Sequence, residues 1–378
     1  MARPTSREVL VFVATATLLA TFASACGSGS KSSNGSTTST GAGTQTTVAP
    51  ASLDSLTTQS KTENALVIYG NAPAELLKPV LNVFTSKYPW IKVQDQELSD
   101  PEIFSKVGAE QGQGAASADL MISTFPEGFA EASKAGLLKT DYTPIGVGNF
   151  PSYARQGPGM YIMELNPLLT GFVTKGLSPI EYPHSFADLV KLAQAGKLLT
   201  TYSIAHPIGY AATWAFVQAK GAAAWTTIGQ LGPATKTIDD GTTQLEDALK
   251  GQFAAGYYSS GLGRAYLKQF NGQFELNYTT DFEPVIPRGM AIPSKARHSA
   301  SAQLFMDFVY SQAGQDALCD VGFTAFINDF QSSTGCVNSL ADLQAHVPAQ
   351  NIFVVPFTEK LITDHASITA RWNTLHFK

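Results

Sequence analysis

Ala65-Leu66-Val67-Ile68-Tyr69 is a continuous apolar run closed by Gly70. A run of this length without alternation suits a strand buried on both faces, as strands of parallel sheets are. The residues after it change period. Leu76, Leu77, Val80, Leu81 and Phe84 share one face of a helix, and Pro79 within it is expected to kink or shorten that helix. Ile91 to Leu98 alternates as a second strand, a helix through Ile103 and Val107 follows, and Ala118-Asp119-Leu120-Met121-Ile122 is a third apolar run. Strands alternating with helices in this way open a doubly wound α/β domain.

Farther along, the pattern returns with different segments. Ser185 is placed to cap a helix carrying Phe186, Leu189, Val190 and Leu192, with Asp188 near the open N–H groups of its first turn. Strands at Lys197 to Tyr202 and Phe253 to Tyr258 flank two helical stretches, Gly209 to Gly232 and Thr242 to Lys250. Phe274 to Pro293, broken by Pro284 and Pro287, leads to a helix with Leu304, Phe305, Phe308 and Val309. No internal repeat is visible.

In the other direction the composition changes abruptly. From Gly27 to about Lys61 the chain is Gly, Ser, Thr, Ala and Gln with almost no large apolar residue, which predicts a disordered tether reaching roughly 30 Å. Before it, Arg3 and Arg7 precede an uncharged apolar run from Val9 to Ala25 that ends on Ala23-Ser24-Ala25 and Cys26. Charged, apolar and small regions in that order predict a secretory signal.

The whole chain carries a formal charge of −5, and it has no run of Lys or Arg. A nucleic-acid partner is therefore not expected. If Cys26 is taken by lipid, Cys319 and Cys336 remain as an even pair in an oxidising compartment, read either as a disulfide or as two buried thiols. A bridge there would close a loop of about 17 residues and add roughly 3 kcal/mol.

Five pieces in order resemble a known family. Leu66 to Gly70 with Phe84 and Lys87-Tyr88-Pro89-Trp90-Ile91-Lys92-Val93 is similar to the first strand, helix and second strand of the bacterial type 2 periplasmic binding proteins. Ser117-Ala118-Asp119-Leu120 resembles their third strand, and Pro183-His184-Ser185-Phe186-Ala187-Asp188-Leu189 a characteristic helix start. Pro287-Arg288-Gly289-Met290-Ala291-Ile292, Ala302 to Phe308, and Ser311-Gln312-Ala313-Gly314-Gln315 resemble the late strand, helix and Gly-Gln turn. The nearest branch includes binders of ferric ion and of small organic anions. The cysteine after the signal resembles a bacterial lipobox, although Ala23 stands where Leu is commonest.

The resemblance implies an α/β, two-lobed type 2 periplasmic-binding-protein fold. Each lobe would be a doubly wound, mostly parallel sheet flanked by helices, with a ligand cleft between the lobes. The expected division is a signal peptide at 1–25, the tether at 26–61, the first part of lobe 1 at 62–165 and lobe 2 at 166–275. A crossover strand and return to lobe 1 would occupy 276–315, and C-terminal helices of unassigned lobe 316–378. The implied function is the extracytoplasmic solute-binding component of an ABC-type importer, closing by a hinge on a small polar or anionic solute. Its partners would be that small molecule, a membrane-embedded permease and, through acylated Cys26, the outer face of the cytoplasmic membrane. It is expected to be a monomer with no cofactor.

Open parallel sheets bind ligands at the carboxyl ends of their strands, so the residues there are the site candidates. They are Asn71; Ser123 and Thr124; Thr242 and Thr243; Tyr258, Ser259 and Ser260; and the ring of Tyr210. Helix N-termini with adjacent hydroxyls favour carboxylate, phosphate or sugar groups, and each such Ser or Thr could equally be a simple cap. Arg264 could supply charge to an anion, and Phe125, Tyr202, Trp214, Tyr278 or His206 a stacking surface.

The ferric binders place a His after the first strand and an acidic residue after the third. Here those loops read Gly70-Asn71-Ala72 and Ser123-Thr124-Phe125. The adjacent Tyr257 and Tyr258 offer hard ligands for ferric iron as an alternative, but neighbours in a strand face opposite ways, so at most one should face the cleft. No metal is expected. A ligand-sensing lipoprotein that does not transport is a further alternative. An enzyme is not expected, because the chain has no Gly-x-Ser-x-Gly or His-Glu-x-x-His motif.

Overall fold

A computed structural model describes residues 52–378. The expected signal peptide, Cys26 and the tether up to residue 51 lie outside the described residues. Among those described, no helix is long and apolar enough to cross a membrane.

The first sheet runs in the order β2-β1-β3-β12-β5-β4. It contains β1 (Ala65–Gly70), β2 (Lys92–Glu97), β3 (Leu120–Ser123), β4 (Arg155–Gly157), β5 (Met160–Glu164) and the late β12 (Arg288–Ala291). β1 pairs in parallel with β2 and β3, whereas β12 is antiparallel to both β3 and β5. Leu66 and Ile68 of β1 have no solvent exposure, which is what the unbroken apolar run requires.

The second sheet has the order β10-β6-β9-β7-β8, built from β6 (Leu168–Val173), β7 (Leu199–Thr201), β8 (Thr235–Thr237), β9 (Ala255–Ser260) and β10 (Phe274–Asn277). β7 is parallel to β8 and β9, and β6 is antiparallel to β9 and β10. Each sheet is thus mixed, a parallel half continued by antiparallel strands, where a mostly parallel sheet was expected. The reason is the connectivity. β5 and β6 are joined only by Leu165, Asn166 and Pro167, so the chain crosses straight from one sheet to the other without the helical return that parallel neighbours need. It crosses back between β10 and β12. The two crossings lie side by side, with Pro167 bridged to Val285 and the Ile286 amide donating to the Asn166 carbonyl at 3.0 Å.

Helix Ala74–Lys87 buries Leu77, Val80, Leu81 and Phe84 and runs unbroken through Pro79, whose ring is exposed. The shortening expected there does not occur. The helical stretch expected from 209 to 232 is two helices, Pro207–Lys220 and Ala222–Leu231. Gly221 at φ +56° separates them, a conformation that side chains strain to adopt.

Two segments depart further from the reading of the sequence. Residues 53–61, placed in the tether, belong to helix Leu53–Glu63. Its carboxylate Glu63 accepts from the Ala300 and Ser301 amides, capping helix Ser299–Val309, and Leu56 enters the core. Tertiary anchoring holds a polar sequence helical here. At the C-terminus, β11 (Glu283–Val285) pairs with β13 (Ile352–Val354), and helix Glu359–Trp372 packs against both Pro126–Lys134, beside the first sheet, and Pro207–Lys220, beside the second. Cys319 and Cys336 are joined in a disulfide.

Candidate functional site

Between the two sheets lies a cavity of about 730 Å³. Its walls are the segments that follow β1, β2 and β3 on one side and β7, β8 and β9 on the other. Every parallel strand of the two large sheets therefore contributes its carboxyl end, where backbone groups leave the ladder and side chains are free to meet a ligand.

Five of the candidates named from the sequence line this cavity: Asn71, Thr124, Thr242, Ser259 and Ser260. Asn71 Nδ2 donates to Thr124 Oγ1 at 2.7 Å and its Oδ1 accepts from Arg288, which itself pairs with buried Glu164 at 3.1 Å. Ser260 Oγ donates to Asn166 Oδ1 at 2.7 Å, tying the cavity wall to the crossing segment.

Four candidates do not line it. Ser123 is fully buried and turns inward to donate to Asp100 while accepting from the Phe125 amide. Thr243, one position round the helix from Thr242, faces back to Asp240, which accepts from both its amide and its hydroxyl. Tyr210 is buried against the C-terminal helix, stacked on His365 at 4.1 Å and donating to the Leu361 carbonyl. Tyr258 is buried with Tyr257 against Phe186.

Neither Tyr257 nor Tyr258 lines the cavity, although strict alternation does not hold between them. The β6–β9 register shifts between Leu169 and Gly171, and Tyr258 takes φ +66°. This bulge puts two residues opposite one and lets neighbours turn to the same side. Burial raises both phenols far above their ordinary range, so a ferric site made from them is not supported. Arg264 is likewise committed elsewhere, to Asp342 at 3.0 Å and over the Tyr278 ring.

The sequence reading missed the acidic wall. Glu97, Asp100 and Glu102 enter from the β2 side and Asp239 and Asp240 from beyond β8. Glu102 accepts from Ser99 amide and hydroxyl, which holds its carboxyl below the usual range. Asp240 is lowered in the same way by Thr243. Asp239 accepts from Ser203 amide and hydroxyl at 2.7 Å each. The strand-end rule applied to β2 would have found Glu97 to Glu102. β8 is three residues long and carries too little periodicity to announce the loop after it.

Tyr202 and His206 form the aromatic part of the wall, stacked at 4.3 Å. Burial pushes Tyr202 up to about 12 and His206 down, favouring the neutral imidazole, whose Nδ1 accepts from the Ile208 amide at 3.2 Å. Among the described residues no three His, Cys, Asp or Glu side chains converge on a metal-sized site.

A family model described as "Bacterial extracellular solute-binding protein" matches residues 65–324. The chain belongs to the bacterial extracellular solute-binding proteins. Solved structures agree on the two-lobed type 2 fold for this solute-binding protein. It is similar to the substrate binding protein of an ABC transporter from Agrobacterium tumefaciens (TM-score 0.72, 20% identity, 83% of this chain and 96% of that one). It is also similar to AfuA from Actinobacillus pleuropneumoniae, solved with fructose-6-phosphate (0.67, 19%, 82% and 98%). Iron-bound HitA from Pseudomonas aeruginosa is a third (0.65, 18%, 80% and 99%). The comparison with curated proteins gives no match.

Proposed function

We propose that this solute-binding protein captures a small polar solute between its lobes and hands it, chemically unaltered, to an ABC-type permease. One observation carries the reading: the strand ends of both sheets line a single cavity large enough for a small molecule. Asn71 and Thr124 would grip the solute from the first lobe and Thr242, Ser259 and Ser260 from the second. The paired crossings at Leu165 to Pro167 and at residues 278–287 act as the hinge. Closure is favoured when a ligand makes contacts that only the closed form offers.

The protein works outside the cytoplasm as a monomer, held to the membrane by acylated Cys26 on the tether. A thermal-shift screen of sugars, organic acids, organic cations, phosphonates and ferric ion tests capture: a binder raises the melting temperature by mass action. Stabilisation by ferric ion alone would restore the metal reading. Cys26→Ser should release the protein from membranes, and retention of the variant would end the anchor proposal.

A further inference from the structure

The cleft wall is acidic from both sides. Glu97, Asp100 and Glu102 belong to the first lobe, Asp239 and Asp240 to the second. Among the described residues none of the five is in an ion pair with a Lys or Arg. The one guanidinium on the wall, Arg288, is 3% exposed and already engaged by Glu164 and Asn71.

Several donors that would attract an anion are also taken. Ser99 and Glu102 form a capping box at the start of helix Asp100–Gly112, the Thr243 amide of helix Gly241–Leu249 meets Asp240, and that of Ile208 meets His206. The Thr124 amide meets Asp100. The protein's own carboxylates and imidazole thus already stand at the helix starts where an anion would otherwise bind. Thr200, also on the wall, is 2% exposed, and its buried hydroxyl has no partner among the described residues. Buried polar groups are ordinarily satisfied.

We propose that the solute is an organic cation, an ammonium or guanidinium group on an aliphatic or aromatic body. The charge calls for a cation. The volume of about 730 Å³ and the absence of a convergent ligand cluster among the described residues argue for a molecule over a bare metal ion. The stacked Tyr202 and His206, with Ile208, Leu245 and Phe274, supply a face for its body. The same charges make closure depend on the ligand. Carboxylates on opposite walls repel as the lobes approach, and a cation between them turns that repulsion into attraction from both sides.

This inference rests on the capture reading, and one titration separates the two. The mature protein is titrated calorimetrically with putrescine, spermidine, arginine and choline, with phosphate, citrate and glucose 6-phosphate, and with glucose and maltose. The expected result is binding of at least one cation, weakened several-fold on going from low to high salt. Glu97→Gln and Asp239→Asn should each weaken that binding about ten-fold or more, while Glu359→Gln, on the surface away from the cleft, leaves it unchanged. Circular dichroism and unliganded melting confirm that the variants fold. Binding of anions or sugars without any cation would overturn the cation assignment and leave solute capture standing. Cation binding that both cleft variants leave intact would overturn the site. Binding of nothing in the panel would overturn both readings.

Discussion

The Tyr266 hydroxyl donates to Glu75 Oε1 at 2.7 Å, joining the segment after β9 in one lobe to the start of helix Ala74–Lys87 in the other. Tyr266 also lines the cavity, so this bond spans the gap that hinge motion would open. A single neutral-to-charged hydrogen bond at a partly exposed place contributes on the order of 1 kcal/mol. Tyr266→Phe should therefore shift the unliganded protein toward open forms about five-fold while leaving its melting temperature within a degree or two. Spin labels, one per lobe, would report this as a longer mean distance. An unchanged distance distribution would show that the bond does not hold the lobes.

Glu283 sets a pH dependence. It is fully buried on β11, its Oε2 accepts from the Thr279 amide and hydroxyl, and its Oε1 has no partner among the described residues. Burial pushes its carboxyl up to about 8. A group that holds its proton more tightly when folded contributes stability in full below the unfolded value near 4.5, and loses it as the pH rises through 8. Asp95 and Asp307, pushed up to about 6, and Glu164, to about 7, add to the same trend. Stability should fall between pH 5 and pH 8. Glu283→Gln, a neutral isostere, should match the parent at pH 5 and exceed it by roughly 2 kcal/mol at pH 8 in urea titrations. Parallel pH profiles for the two proteins would refute the assignment.

Particular residues show what was legible in the sequence. Leu66 and Ile68 announce a strand because the run around them is apolar without interruption; they fill one face of β1, and Val67 and Tyr69 pack on the other. The strand-end rule then led to Asn71, Thr124, Thr242, Ser259 and Ser260, since it needs only the strands to be found. Facts that live in the pairing between distant segments were not legible. The β6–β9 bulge turns Tyr257 and Tyr258 the same way, and only the register reveals it. Helix Leu53–Glu63 is polar enough to read as tether, and its anchor, Glu63 on helix Ser299–Val309, lies more than two hundred residues away. Asp239 and Asp240 follow a strand too short to show a period.

The disulfide acts on stability and not on the site. Cys319 and Cys336 close a loop with a separation of 17 residues, and neither lies on the cavity wall. Such a loop adds roughly 3 kcal/mol, chiefly by restricting the unfolded chain. The double variant Cys319→Ala, Cys336→Ala should melt several degrees lower, and dithiothreitol should bring the parent to the same point. Ligand affinity of the folded variant should stay within two-fold of the parent. A larger change would mean that the loop reaches the cleft.

His365 gives the C-terminal helix a grip on both lobes. Its Nδ1 lies 2.8 Å from Glu127 Oε1 on helix Pro126–Lys134, and its ring stacks on Tyr210 of helix Pro207–Lys220. Burial raises the Glu127 carboxyl, and the hydrogen bond from His365 works against that rise. Without the imidazole, burial and the nearby Glu131 carboxylate both act unopposed, so Glu127 should stay protonated to higher pH and ionise at a cost. His365→Ala should therefore cost more stability at pH 8 than at pH 5, the opposite of a loss due to packing alone, which pH would not move. Combining it with Glu127→Gln separates the pair from the stack. The two substitutions at pH 8 should be non-additive by about 1 kcal/mol in urea denaturation, because either one alone already removes their shared bond. Strict additivity would mean that the helix is held by Tyr210 and the surrounding apolar contacts, with no contribution from the carboxylate.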